Sequence, residues 1–120
     1  VSISNYLENK LLDATAGVSY ASAGTYLQLH TGDPGEAGTA NVATESSRQS
    51  VSFASASGGS MASSGTVTWT NVAGSETFTH WSLWDAASSG NCLWSGSLAS
   101  SAVVVAGDSF SISLLTLALD

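Results

Sequence analysis

The sequence predicts a mainly β fold: a single antiparallel β-sandwich, jelly-roll or immunoglobulin-like, with one N-terminal α-helix. Three observations lead there. The hydrophobic period is helical before Gly17 and becomes two after it. About seven short apolar runs then alternate with Gly- and Ser-rich turns, and no second helix is available to cross between parallel strands. Finally, 120 residues of which 43% are hydrophobic suffice to bury one core, so residues 1–120 are read as one domain.

The helix comes first. Ile3, Leu7, Leu11 and Ala14 recur at spacings of four, four and three, which puts them on one helical face. Asn5 followed by Glu8 resembles a capping box and Gly17 a stop, predicting a helix from about Asn5 or Tyr6 to Ala16. Glu8, Asn9 and Asp13 form its solvent face. Leu12 widens the apolar stripe; the first reading is a helix that lies against its own β-core, the alternative one that also packs on a neighbouring subunit.

Strands are expected from about residue 18 onward. Leu27 and Leu29 alternate with Tyr26, Gln28 and His30; Val51 and Phe53 with Ser50 and Ser52; Val67 and Trp69 with Thr66, Thr68 and Thr70. Each pattern reads as a strand with one face in a core and the other in water. Thr77 to Asp85 carries Phe78, Trp81, Leu83 and Trp84 on both parities and is read as a central strand. Cys92–Trp94 is its hairpin partner across Ala87–Asn91. Val103–Val105 and Phe110–Leu114 flank a turn at Ala106–Ser109. In the last strand Phe110, Ile112 and Leu114 share one parity and Leu115, Leu117 and Leu119 the other, which predicts a bulge near Leu114–Leu115 with both halves buried. The low-complexity stretches 32–47 and 54–65 are expected to be mobile or held by a partner.

Two bases, Lys10 and Arg48, stand against nine acids, a net charge of −7. So few cations disfavour a phosphate-backbone partner and an anionic membrane surface. No apolar run approaches the roughly 20 residues of a membrane span. The expectation is a soluble protein with neither nucleic acid nor membrane as partner, and Val1–Asn5 shows no signal-peptide pattern. Cys92, the lone cysteine, can form no internal disulfide.

Candidate sites follow from chemistry. His30 and His80 with Asp33 and Asp85 lack the spacing of a metal site, and no elbow motif presents a nucleophilic Ser, so no catalytic residue, metal or cofactor is predicted. Cys92, without a neighbouring cation, reads as a small core hydrophobe. The tryptophans read as core or subunit-contact residues, with sugar stacking as the alternative. Asp33-Pro34-Gly35-Glu36 is a type II turn with its carboxylates in solvent. Lys10 and Arg48 either pair with carboxylates across a contact or stand exposed.

Tyr26–Thr31 running into Gly32-Asp33-Pro34-Gly35-Glu36-Ala37-Gly38, then Arg48–Val51, Asp85-Ala86, Gly90-Asn91, Leu93–Leu98 and Gly107–Phe110, resembles a group of small tailed-phage virion β-sandwich proteins. Tyr6–Leu12 also fits, so the resemblance covers nearly the whole chain. Members are often labelled tail fibre or minor tail proteins, and similar small sandwiches decorate capsids. The resemblance implies a structural component and no enzyme. Strong acidity, short edge strands and the lack of internal repeats favour a decoration or cement protein on the outer capsid surface, assembled in the host cytoplasm. It would bind the major capsid protein and its own copies, a homotrimer being one arrangement. A tail or receptor-binding component is the alternative. The expected partner contacts are Leu12 on the helix; Asp33, Pro34 and Glu36 within Asp33–Asn41; Arg48; and Ser60 and Met61 within Ser57–Ser63.

Overall fold

The computed structural model describes residues 1–119. In chain order it contains β1 (Ser2–Ile3), α1 (Asn5–Thr15), β2 (Tyr26–His30), β3 (Gln49–Ser50), β4 (Ser52–Phe53), β5 (Ser60–Ser64), β6 (Val67–Trp69), β7 (Glu76–Trp84), β8 (Cys92–Val104), β9 (Phe110–Ile112) and β10 (Thr116–Ala118). All strand pairs are antiparallel. A five-stranded sheet of order β1-β8-β7-β2-β3 faces a three-stranded sheet β10-β5-β4 and the pair β6-β9. The result is the predicted β-sandwich with an N-terminal helix. Among the described residues ten strands replace the expected seven or so, because several are only two or three residues long.

Directly paired residues share a face of a sheet. The register Ile3↔Trp94↔Leu83↔Leu27, followed by Trp81↔Leu29, therefore defines one apolar face of the large sheet. It packs against Val67, Trp69, Ile112 and Leu117 from the smaller sheets in a single core. Central placement of β7 is borne out: Phe78, Trp81, Leu83 and Trp84 are all buried.

The other face overturns an expectation. Tyr26↔Trp84↔Cys92, Gln28↔Ser82↔Ser95 and His30↔His80 lie there, where the alternation pointed to water. Yet Gln28 is buried and His30 and Ser82 are both 0% exposed. The covering material is the 32–47 stretch, expected to be mobile or held by a partner. Instead it folds back onto its own sheet through the Thr31 and Ala43 amides, which donate to Asn41 and Leu29 carbonyls, and through buried Pro34, Gly38, Ala43 and Glu45. Gly38 has φ +72°, and a Cβ there would stand 2.7 Å from Cys92 Sγ. Only glycine lets the loop sit this close.

Smaller corrections have local causes. A strand, β1, precedes the helix. Ser4, not Asn5, caps α1: its extended backbone leaves Oγ to accept from Leu7 N at 3.2 Å, while its hydroxyl donates to the Cys92 carbonyl at 2.6 Å. Leu7 is buried and Leu11 half-buried, but Ala14 is exposed, since only the first turns of α1 rest on the sheet. Cys92–Trp94 and Val103–Val105 largely form one strand, β8, whose Ser/Gly/Ala middle hid its continuity; a wide bulge lies between the pairs Phe78↔Ala102 and His80↔Ser97. Stretch 54–65 is mostly a hairpin, closed by a tight turn at Ser57–Ser60 and paired on β4 and β10. The last strand breaks rather than bulges. β9 pairs with β6 and β10 with β5, so Leu115 and Leu117 are buried while Leu114 (63%) and Leu119 (51%) are exposed.

The sandwich has one closed and one open side. β3 and β4 are separated by Val51 alone, so the chain passes there from one sheet to the next and closes that side. Val51 N donates to the Thr25 carbonyl, and Thr25 Oγ1 donates to the Val51 carbonyl at 2.5 Å. On the opposite side β1 and β10 are both terminal strands of their sheets. No strand among the described residues joins them.

Candidate interaction surface

The buried polar face holds the chain's most ordered side-chain chemistry. His30 Nδ1 lies 2.9 Å from the Ala40 carbonyl, which can only accept, so Nδ1 carries the proton. Nε2 lies 2.7 Å from Ser82 Oγ, and that oxygen also accepts from Trp84 Nε1 at 2.7 Å. The bonds thus run in one direction, from indole to hydroxyl to imidazole to carbonyl. Burial holds the His30 pKa below its usual value. The pair has the elements of a nucleophile and base, but Ser82 has no access to solvent and a carbonyl stands where a triad places a carboxylate.

Beside it, Arg48 Nε donates to Gln28 Oε1 at 3.1 Å, and Nη1 donates to the Ala86 and Ser89 carbonyls at 2.8 and 2.7 Å. Its guanidinium lies 3.9 Å from the Trp84 ring centroid. Arg48 therefore holds the 85–91 turn to the sheet, a role in neither of the two sequence readings. Lys10 lies 5.6 Å from the Tyr6 ring centroid. Burial raises the Cys92 thiol to about 11, so it remains a protonated core hydrophobe. The four tryptophans are buried and offer no open ring to a sugar.

The acids are mostly engaged with backbone amides. Asp33 Oδ1 accepts from Gly35 N at 3.0 Å; Glu36 Oε2 accepts from Asn5 N at 3.1 Å, at the start of α1. Glu76 accepts from the Thr44 and Glu45 amides, Glu45 from Ala73 and Ser47, Asp85 from Asn91, and Asp108 from Val105. Six of the nine acids are thus fastenings for loops. Asp85 and Asp33 are committed in this way, and no group of three or more potential metal ligands comes together among the described residues. No helix among them is long and apolar enough to cross a membrane.

The structure splits the expected contact residues. Leu12 (68% exposed) and Glu36 line one open groove of about 670 Å³ together with Val1, Leu11 and Leu119. Ser60 and Met61 line a small adjoining pocket that shares Trp94 and Leu119 with it. Pro34 is buried in the loop and the half-buried Arg48 is tied into the polar network, both away from that surface. The hydrogen-bonded turn lies at Gly35–Gly38, where Gly38 N donates to the Gly35 carbonyl, and not at Asp33–Glu36; Gly35 has φ +75° with its amide tied to the Asp33 side chain, and Glu36 reaches the helix instead of standing free. Sequence reasoning missed Val1, Leu114 and Leu119. The signal existed: adjacent leucines of opposite parity at 114 and 115 cannot both point into one core.

A family model described as Podophage GP4 fiber I protein gp80 matches residues 2–120. The chain belongs to that family. It is thus a small tailed-phage virion protein with a structural role, as the sequence resemblance implied. No curated protein matches the sequence. The family match spans both the loop-covered polar face and the open side, so neither is an appendage to the part that defines membership.

Proposed function

We propose that this chain is a fibre component of a tailed-phage virion and works by binding other virion chains without catalysis. The carrying observation is the family match, which covers residues 2–120 and bears a fibre description. Two features of the molecule support it. The only close Ser–His pair described above is sealed from solvent, and most carboxylates serve the fold. The family description favours this tail-fibre alternative over decoration of the outer capsid surface and contact with a major capsid protein. Virions carrying an epitope-tagged copy of the chain, labelled with gold-conjugated antibody, distinguish the two. Label at the tail is the expected result; label spread over the head would overturn the reading.

A further inference from the structure

We propose that the open side of the sandwich is the surface on which a second copy of this chain docks. The inference rests on the reading of the chain as a virion building block. The argument begins with hydrogen bonding. β1 covers β8 only at Trp94 and Ser95, so beyond Ser95 the outer edge of β8 has no strand partner among the described residues. β9 pairs only with β6 and β10 only with β5, which leaves their other edges open as well. Between these edges lies a groove of about 520 Å³ walled by Ser97–Ala102 and Phe110–Thr116. Val1 links it to the groove under Leu12 and Leu119. Unpaired strand edges beside an uncharged groove call for another extended backbone.

Charge selects the occupant. Two chains of −7 repel each other unless they meet where charge is absent. The 97–102 and 110–116 groove has no charged side chain in its lining, and the sequence from Cys92 to Gly107 has none either; the acids of the open side, Glu8 and Glu36, lie in the adjoining groove under Leu12. Four of the eight exposed large hydrophobics, Val1, Leu12, Leu114 and Leu119, border these two grooves. A basic partner would be drawn to the acidic loops and to Glu8 and Glu36, not to the uncharged groove between β8 and β9. A second copy brings the same uncharged edge, and a strand edge is complementary to itself in antiparallel pairing.

Analytical ultracentrifugation of the full chain over a concentration series tests this. We expect a concentration-dependent oligomer whose dissociation constant rises about tenfold or more in Leu114→Glu and in Leu12→Glu. Val18→Glu, at an equally exposed apolar residue outside both grooves, is expected to leave it unchanged. Circular dichroism checks that each variant is folded, and hydrogen exchange supplies a second readout: amides in 96–104 should exchange faster in the Leu114→Glu monomer than in the wild-type oligomer. A wild-type chain that stays monomeric at about 0.1 mM, or an oligomer insensitive to both open-side charges, would overturn the proposal. So would protection of these amides only inside assembled virions, which would assign the surface to a different chain. None of these outcomes moves gold label from tail to head, so this inference and the fibre reading fail separately.

Discussion

The two faces of the five-stranded sheet are both buried, but by different means. The apolar face, with Leu27, Leu29, Trp81 and Leu83, is covered by two other sheets and held by close packing. The polar face, with Gln28, His30, Ser82 and Trp84, is covered by a loop and held by directional hydrogen bonds and a stacked Arg48. The first tolerates imperfect direction but no loss of volume. The second tolerates little loss of a partner, since each buried donor or acceptor there has few alternatives.

The sharpest way to separate the faces is to damage each once. Trp81→Ala, at a residue 1% exposed, removes a large side chain from the packed side and is expected to cost about 3–5 kcal/mol. Ser82→Ala removes one oxygen and is expected to cost about 1–3 kcal/mol, because Trp84 Nε1 and His30 Nε2 both lose a partner while buried. Urea titrations at one fixed protein concentration measure both. An Ser82→Ala loss below a few tenths of a kcal/mol would mean that water enters the polar face, and the contrast between the faces would fail.

That contrast also marks how far the sequence could be read. Parity located the apolar face, the central strand and the helix, because burial of alternate residues needs no knowledge of the rest of the chain. It placed Gln28 and His30 in water because polar side chains carry no sign of a lid. The lid itself, 32–47, has the composition of a solvated loop, and its anchors are backbone amides meeting Glu45 and Glu76 from a distance in sequence. The open side was legible only in part. The widened helical stripe points to Leu12, whereas the strand pattern puts Leu114 and Leu119 in the core with the rest of their strand.

Acid should act on the polar face through His30. His30 is buried neutral with its pKa held down by desolvation, whereas in the unfolded chain it titrates near about 6.5. Below that pH the unfolded state takes up a proton that the folded state resists. Stability from this group is therefore complete above about pH 6.5 and falls as pH drops towards the depressed folded value. Protonation would also put a second donor on Nε2, facing an oxygen that already accepts from Trp84. Thermal melting from pH 7.5 to 5 should show this decline, and His30→Gln should flatten it while lowering stability at pH 7.5. An unchanged slope in the variant would assign the acid sensitivity to other groups.

The smallest effect expected is at Glu36, where the two regions meet. Its carboxylate belongs to the loop that lids the polar face, yet it accepts from Asn5 N at the positive end of α1, the helix beside the open side. Because Glu36 is exposed, solvent and salt screen most of the charge effect. Glu36→Gln keeps the size and an acceptor oxygen for Asn5 N, so the main loss is the interaction with the helix dipole, roughly 0.3–1 kcal/mol at low salt, with the long contact from Ser2 Oγ a smaller one. The loss should shrink as salt rises, and hydrogen exchange should locate it in the first turn of α1, leaving the amides around His30 unaffected. Faster exchange at both places would mean that lid and helix open together, and then the polar face would depend on the open side for its stability.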